Sequence, residues 1–254
     1  MIVGHLKSNP DITLLALSRE PQHLSVETDI FGEKKFTSFV CPLSLTYILD
    51  PSLPKHEKHF EELLSLLDAS ILPYQSLFLQ ASLNSDKVQS ALILDASLPD
   101  SHVALQLLHS LKIKTLAYTL DQFEMQKPLN DEFPQAFMIF TPVDKMVQRA
   151  KEVTRGAGFD VIVDYGGEVG EQKRGVIRML GPFGRVITTA RDLQIDPPES
   201  EILQELSATI QYTSKETLFK SHTHDAVLLN IISDVVQKHS QGALRVYKPY
   251  AIKL

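Results

Sequence analysis

Glycine and cysteine are scarce in this chain, and tryptophan is absent. Its 254 residues include 11 glycines, one cysteine and no tryptophan. A single thiol, Cys41, forms neither an internal disulfide nor a multi-cysteine zinc site, which is typical of a reducing compartment. No apolar run reaches the roughly 18 residues of a membrane span, and residues 1–7 do not resemble a secretory signal. We therefore expect a soluble, cytoplasmic protein with no membrane partner.

The charge balance argues against a nucleic-acid-binding protein. Formal net charge is −6 at pH 7, and the lysines and arginines form no basic stripe along the sequence. Such a chain has no overall field that attracts nucleic acid or an anionic membrane. Hydrophobic residues make up 43% of the chain, which is enough for a sizeable core. We expect a globular protein that has no nucleic-acid partner.

Strand and helix patterns alternate through most of the chain. Short apolar runs typical of buried strands occur at 91–94, 115–118, 136–140, 159–163, 185–189 and 208–212. Helical spacing of apolar residues is found at 103–111, 145–154, 169–180 and 225–239. This alternation predicts an α/β fold with a Rossmann-like, doubly wound parallel sheet of about six strands. The proline pair at 197–198 is interpreted as an extended loop before the last strand.

The first 60 residues have a different pattern. Short apolar runs at 12–17, 36–41 and 45–49 are separated by prolines and predict strands. A helix is predicted at 60–67, and a second one after Pro73 with Leu77 and Phe78 facing inward. We predict three parts: a small β-rich region at 1–60, a Rossmann-like domain at 61–245 and a return segment at 246–254.

Two glycine-containing segments carry a family likeness. Residues 153–167 read VTRGAGFDVIVDYGG, and residues 180–189 read LGPFGRVITT. Together they resemble the later half of the nucleotide-binding domain of medium-chain dehydrogenases/reductases, in the zinc-free quinone oxidoreductase (zeta-crystallin) branch. Residues 193–200 resemble the quinone-oxidoreductase-like proteins of that branch. The resemblance implies that residues 1–60 are a remnant of the family's GroES-like catalytic domain, and that the chain is truncated at both ends.

The turn after the first strand of the predicted sheet looks unsuited to a dinucleotide. Rossmann units place glycines there, so that backbone amides approach the pyrophosphate. Here residues 95–102 read DASLPDSH, without a glycine. Leu98 adds a branched side chain, and Pro99 removes an amide donor. Asp95 and Asp100 add negative charge, which repels a diphosphate.

The same turn contains two predicted helix caps. Asp100 and Ser101 are of the residue types that favour the N-cap position, where a side chain takes the N–H groups that a phosphate would use. We therefore predict a quinone-oxidoreductase-like pseudoenzyme that binds no cofactor and acts as a structural or protein-binding subunit. In the family that the chain resembles, the edge of the sixth strand pairs subunits. The segment from Ser207 to Thr213 is thus the predicted contact with a protein partner or a second copy, and a covered outer strand is the alternative.

The alternative function is an NADPH-dependent quinone or enone oxidoreductase with an atypical phosphate-binding turn. In that case Ser97, Ser101, Asp121, Gly166 and Gly167 would contact NADPH, with Asp121 near the adenosine ribose. Simpler roles remain open for three of them. Asp121 fits a loop or a helix cap, and the two glycines fit a sharp turn after a strand. No catalytic residue is predicted under either hypothesis.

Two histidine pairs raise the question of a metal site. The sequence reads HTHD at 222–225 and HEKH at 56–59. Neither pair is accompanied by a third ligand at a recognisable spacing. No metal site is therefore predicted, and Thr223 or Asp225 is expected to cap the helix that follows.

Overall fold

The computed structural model describes residues 2–6, 9–16, 25–28, 34–38, 46–48, 57–83, 88–118, 137–139, 143–167, 169–220 and 222–246. The strands are β1 (Ile2–Leu6), β2 (Asn9–Ala16), β3 (Ser25–Thr28), β4 (Lys34–Ser38), β5 (Thr46–Ile48), β6 (Ser90–Leu94), β7 (Lys114–Tyr118), β8 (Phe137–Ile139), β9 (Phe159–Asp164), β10 (Leu180–Thr188) and β11 (Thr209–Tyr212). The α-helices are α1 (Glu57–Tyr74), α2 (Pro99–Ser110), α3 (Val143–Thr154), α4 (Val169–Ile177), α5 (Pro197–Leu206), α6 (Lys215–Phe219) and α7 (Asp225–Ser240). None of the described helices has both the length and the apolar character that a membrane span requires.

The chain divides into two compact units. The first comprises Met1–Asp68 and Glu216–Gly242, and the second comprises Ala69–Lys215 and Ala243–Leu254. In the first unit, β1, β2 and β5 form an antiparallel sheet in that order, and β3 pairs with β4. Helix α7 packs against β5. The β-rich N-terminal region is confirmed, whereas the domain boundaries at residues 60 and 245 stay a prediction.

The second unit contains a six-stranded sheet in the order β11-β10-β9-β6-β7-β8. All neighbouring strands in it are parallel. With β6 taken as the first strand, this is the doubly wound order 3-2-1-4-5-6 read from the other edge. The predicted Rossmann-like parallel sheet of about six strands is therefore confirmed. The strand order reverses between β6 and β9, and that point defines where a ligand site is to be sought.

The two central strands, β6 and β9, are apolar on both faces and are joined by one carboxylate. Residues 91–94 and 161–163 are fully buried, as expected for strands covered on both faces by helices. Asp160, near the start of β9, accepts hydrogen bonds of 2.9 Å from the backbone N–H groups of Gln89 and Ser90 and from the Ser90 hydroxyl. This contact aligns the two strands at their amino ends.

Helix α1 continues past Pro73, where the sequence predicted a second helix. Proline has no N–H to donate within a helix, and here the chain passes from α1 into a π-helix at Gln75–Gln80. The Ser76 hydroxyl donates to the Leu72 carbonyl at 2.8 Å, which supplies a local bond at the transition. Leu77 is buried, as predicted, but Phe78 is only half-buried.

Two predictions about the elements after β9 are wrong. Pro197 and Pro198 begin helix α5 instead of forming an extended loop, because the fixed φ of proline suits the first helical turn. The strand predicted at 185–189 begins earlier, since residues 181–184 also lie within β10. They form an irregularity there, since the register between β9 and β10 shifts between Leu180 and Arg185.

Candidate functional site

The candidate site lies where the strand order reverses. In open α/β sheets, ligands bind outside the carboxyl ends of the strands at such a point. Here the two ends belong to β6, which is followed by Asp95, and β9, which is followed by Tyr165. Helices α2 and α4 begin close behind them, so their N-terminal N–H groups face this edge of the sheet.

The turn after β6 is held together by its own polar groups. Asp95 has a φ of 52°, in the left-handed region that aspartate adopts more readily than most residues. The Ser97 hydroxyl donates to the Asp95 carboxylate, and the Ser101 hydroxyl donates to the Asp95 carbonyl at 2.6 Å. Both serines that were predicted to contact NADPH are therefore engaged within the turn itself.

Helix α2 begins without a side-chain cap. Its N-cap residue is Leu98 and Pro99 occupies the first helical position, so Asp100 and Ser101 lie inside the first turn. The prediction that these two residues cap the helix is wrong for that reason. The Asp100 carboxylate instead forms an ion pair with Lys215, with Oδ1 3.2 Å from Nζ.

This ion pair is partly sheltered from solvent. The side chain of Asp100 is 15% exposed and that of Lys215 is 31% exposed. A carboxylate in the first turn of a helix interacts favourably with the partial positive charge of the helix N-terminus. The Asp100 carboxylate thus lies at the position where a Rossmann fold binds a phosphate. The ammonium group of Lys215 neutralises its charge.

At the carboxyl end of β9, too, a carboxylate of the protein takes a donor at the start of a helix. Asp164 is fully buried and accepts hydrogen bonds from the Val169 N–H at 3.0 Å and the Thr188 hydroxyl at 2.7 Å. Because Val169 is the first residue of α4, this carboxylate takes an N-terminal donor of the second helix at the edge. The Ala190 N–H donates to the Thr188 hydroxyl at 3.0 Å, which links the loop after β10 to the same network.

Tyr165 occupies the space beside these groups. Its hydroxyl lies 2.7 Å from the Ser76 hydroxyl, and either oxygen is able to donate in this bond. Burial raises the pKa of Tyr165, the bond with Ser76 lowers it, and the charge of Asp100 raises it again. The phenol therefore stays protonated at neutral pH.

The remaining predicted cofactor residues have different positions. Gly166 is exposed, and Gly167 has a φ of 77°, a conformation that favours glycine. A Cβ at Gly167 would lie 3.6 Å from the Ala190 Cα, an ordinary contact, so the need for glycine is conformational. Asp121 lies outside the described residues. Contact of these residues with NADPH stays a prediction.

The histidine pairs do not form a metal centre in the part of the chain that the structure describes. Within those ranges, no three His, Cys, Asp or Glu side chains are grouped so that they would hold a metal ion. His222–His224 forms a short 3-10 turn, and His224 is the N-cap of α7 without a capping side-chain bond. The prediction that Thr223 or Asp225 caps this helix is therefore wrong. His56 lies outside the described residues.

Three residues of the site were not predicted from the sequence. Tyr165 is part of the segment that carries the family likeness, but nothing in that segment indicates a partner on the π-helix. Ser76 has no local signal beyond its place after Pro73. Lys215 follows a predicted strand, and a lysine at the carboxyl end of a parallel strand was the available sign that it reaches the edge where Asp100 lies.

No protein-family model matches the chain. A search of curated proteins finds quinone oxidoreductase-like protein 1 from Mus musculus, which is 26% identical over 171 residues. The match covers 62% of this chain and 49% of the mouse protein, so the chain spans about half the length of that relative.

Solved structures share the fold at low sequence identity. An alcohol dehydrogenase superfamily protein from Novosphingobium aromaticivorans has a TM-score of 0.63 at 16% identity, covering 81% of this chain and 57% of that one. The quinone oxidoreductase of Pseudomonas syringae pv. Tomato DC3000 has a TM-score of 0.60 at 16% identity, with coverage of 82% and 60%. The human synaptic vesicle membrane protein VAT-1 homolog-like protein has a TM-score of 0.61 at 16% identity, with coverage of 84% and 62%. The chain is thus similar in sequence to part of a quinone oxidoreductase-like protein, and it shares the fold of these solved structures.

Proposed function

We propose that this protein is a quinone-oxidoreductase-like pseudoenzyme that does not bind a dinucleotide and serves as a structural or protein-binding subunit. The observation that carries the proposal is the ion pair between Asp100 and Lys215. It supplies a carboxylate to the N-terminus of α2, where the phosphates of a dinucleotide would otherwise interact. A diphosphate would have to displace the Asp100 carboxylate from the helix N-terminus and break its ion pair with Lys215.

Three further contacts support this proposal. The turn after β6 contains no glycine that would let a phosphate approach the backbone, and its two serine hydroxyls bond to Asp95. The buried Asp164 takes the first donor of α4. Tyr165 and Ser76 satisfy each other and stay buried. A dinucleotide would gain few new hydrogen bonds here and would break several existing ones.

The outer edge of β11 supports a binding role. Among the described residues, β11 pairs only with β10 and ends the sheet. The Thr213 N–H bonds to Thr188 in the direction of β10, so by strand alternation the N–H groups of Ile210 and Tyr212 point away from the sheet. The Tyr212 carbonyl accepts a 2.9 Å hydrogen bond from the Gln80 side-chain amide. A partner strand would therefore pair with the first part of β11 and stop at Tyr212.

The second candidate is an NADPH-dependent quinone or enone reductase. One observation favours it: no side chain caps the N-terminus of α2. The quinone oxidoreductase among the structural relatives agrees with that reaction class. Under this hypothesis the Lys215 ammonium would turn from Asp100 to a phosphate of the cofactor. No residue of the described site is in place as a catalytic acid or base, because the Tyr165 phenol is buried and bonded to Ser76.

Nucleotide titration followed by thermal unfolding separates the two functions. We expect no rise in the midpoint of unfolding with NADPH or NADH, because a ligand that does not bind the native state does not stabilise it. A saturating rise at micromolar NADPH would contradict the proposal. The variant Lys215→Ala is the matched control: under the reductase hypothesis it weakens that response, and under the proposed function it changes only the starting midpoint.

The proposed contact through β11 is tested by measuring molecular mass in solution. The variant Ile210→Pro removes one outward N–H without touching the bonds between β11 and β10. We expect the wild-type protein to form an assembly, with itself or with a co-purified partner, that this variant loses while its circular dichroism spectrum is kept. A wild-type protein that is strictly monomeric and has no partner would contradict this part of the proposal.

A further inference from the structure

The opposite, amino edge of the same sheet contains two turns that pack backbone against backbone. One is the turn between α3 and β9, and the other is the irregular segment 181–184 within β10. A Cβ placed on Gly158 would overlap the backbone of Leu180 and Gly181, and a Cβ on Gly181 would lie 2.5 Å from the Ala157 carbonyl oxygen. Neither turn is able to move without shifting the other. The two turns therefore form a rigid base.

This base carries an exposed aromatic side chain in an unfavourable backbone conformation. Phe183 has a φ of 61°, in the left-handed region where residues other than glycine are disfavoured, and it is 75% exposed. Pro182 beside it is also exposed and restricts the backbone further. Folding thus tolerates both a strained conformation and an exposed ring at this position. Here a rigid backbone presents an aromatic ring to solvent, and aromatic side chains are enriched among the anchors of protein interfaces.

The segments that meet at this base carry two exposed arginines. Arg155 is exposed and has a φ of 55° in the turn that contacts residues 180–181, and Arg178 is exposed directly before β10. Two carboxylates of the neighbouring elements have partners of their own. Glu152 pairs with Arg149 at 2.6 Å, and the Asp160 carboxylate accepts three hydrogen bonds from Gln89 and Ser90. A chain with a net charge of −6 thus has a locally basic and aromatic surface here.

We propose that the Phe183 platform, defined as Arg155, Arg178, Pro182 and Phe183, is a docking site for an acidic segment of a partner protein. An apolar side chain of the partner packs against the Phe183 ring, and its carboxylates pair with the two guanidinium groups. The proposal deepens the binding role proposed above and rests on it, since it names a surface and the chemistry of the partner.

A protein segment fits this surface better than an extended polyanion does. The platform offers one aromatic ring and two arginines, whereas the net charge of the chain repels nucleic acid or an anionic bilayer over a larger area. A second copy of the chain, brought face to face here, would oppose arginines to arginines. A short acidic segment with one apolar residue matches both the size and the charge of the platform.

The experiment is selection of a displayed library of random short peptides on the full chain, in parallel with four variants. Phe183→Gly removes the ring and suits the left-handed backbone, so folding is retained. R155E/R178E reverses the charge. The controls are Arg191→Glu, a charge reversal at an exposed residue after β10, and Leu111→Ser, which removes an exposed apolar side chain after α2.

We expect enrichment of peptides that combine Asp or Glu with an apolar residue. Their affinity, measured by fluorescence anisotropy, should fall at least tenfold for Phe183→Gly and for R155E/R178E, stay within twofold for both controls, and weaken with added salt. No enrichment, enrichment of neutral or basic peptides, or equal binding to Phe183→Gly would overturn the proposal.

Two further measurements exclude other occupants. Co-sedimentation with vesicles of phosphatidylcholine and phosphatidylserine that depends on Phe183, without peptide enrichment, would assign the surface to a membrane. A wild-type dimer that dissociates in Phe183→Gly would assign it to a second copy. Either result overturns the proposal. A saturating response to NADPH would instead overturn the proposed function and leave the peptide result unchanged, so the two failures are distinguishable.

Discussion

The two edges of the parallel sheet use their residues in opposite ways. At the carboxyl edge, polar groups satisfy one another: Asp100 pairs with Lys215, Tyr165 with Ser76, and Asp164 with Thr188. At the amino edge, glycines let two turns touch, and an aromatic ring is left exposed. In a dinucleotide-binding protein the close backbone approach made possible by glycine is needed at the carboxyl edge.

This difference distinguishes the glycines that packing of the sheet requires from those that cofactor binding would require. Gly158 and Gly181 are required by packing within the sheet, whatever the protein binds. The turn after β6 has no such packing requirement, since its backbone is held by Asp95 and by the hydroxyls of Ser97 and Ser101. A Rossmann-like sheet is therefore stable in this chain without the glycines that would admit a diphosphate.

The largest expected effect comes from adding one methyl group at the amino edge. Gly158→Ala places a Cβ against the Leu180 and Gly181 backbone at a φ of 80°. Overpacking and left-handed strain together predict a loss of about 3–5 kcal/mol in the free energy of unfolding. Gly156→Ala is the matched control, since φ is 83° there but nothing lies within 4 Å of the added atom. It should cost about 1 kcal/mol. Equal losses in urea denaturation would show that the two turns do not pack as described.

The next effect concerns pH and a histidine behind the carboxyl edge. Burial in α2 lowers the pKa of His102 from 6.5 to about 4. Between these values the unfolded chain binds a proton that the folded chain does not, so stability falls as pH decreases from 6.5 to 4. The loss amounts to roughly 3 kcal/mol once the pH is below both values. Urea denaturation across this range should show a flatter profile for His102→Gln than for the wild type. Parallel profiles would mean that His102 takes up a proton as readily in the folded protein as in the unfolded chain.

A smaller effect of opposite sign is expected at the exposed ring. Phe183→Gly relieves the left-handed strain at a φ of 61° and should raise the free energy of unfolding by about 1 kcal/mol. Phe183→Ala removes the ring but keeps the strain, so it should leave the stability nearly unchanged. Chemical denaturation of both variants checks the comparison. If alanine stabilised the protein as much as glycine, exposure of the ring and not backbone strain would be the cost at this site.

The smallest effect is expected for the ion pair at the carboxyl edge. A double-mutant cycle with Asp100→Asn and Lys215→Met should give a coupling free energy of about 0.5–1 kcal/mol, because both side chains are partly exposed and solvent screens the pair. The coupling should decrease at high ionic strength. A coupling of zero at low salt would indicate that Asp100 and Lys215 act independently, and the carboxylate would then be available to repel or admit other ions.

Much of the fold was predictable because its signals are local. The buried strands at 91–94 and 159–163 are continuous apolar runs, and the helices between them show apolar residues on one face. Helix α5 was missed because two prolines favour a loop as readily as a first helical turn, and only the residues after them decide between the two. The break after Pro73 was misjudged for a related reason, since a π-helix that follows a proline has no distinct sequence pattern.

The candidate site was predictable only in part. The absence of glycine from residues 95–102 is visible in the sequence, and it already weakens the case for a dinucleotide. The supposed caps at Asp100 and Ser101 were wrong, because helix α2 starts at Pro99. The true partners of these residues come from the turn itself for Ser101 and from the start of α6 for Asp100.

The sequence by itself determined the alternation of strands and helices, the glycine-free first turn and the family likeness, because each depends on neighbouring residues. The tertiary structure decided which groups meet at the two edges of the sheet. Lys215 reaches Asp100, and Gly158 contacts Gly181, because parallel strands bring distant segments of the chain to one edge. No local pattern encodes such pairings, since they depend on strand order and register, which are fixed only when the whole sheet packs.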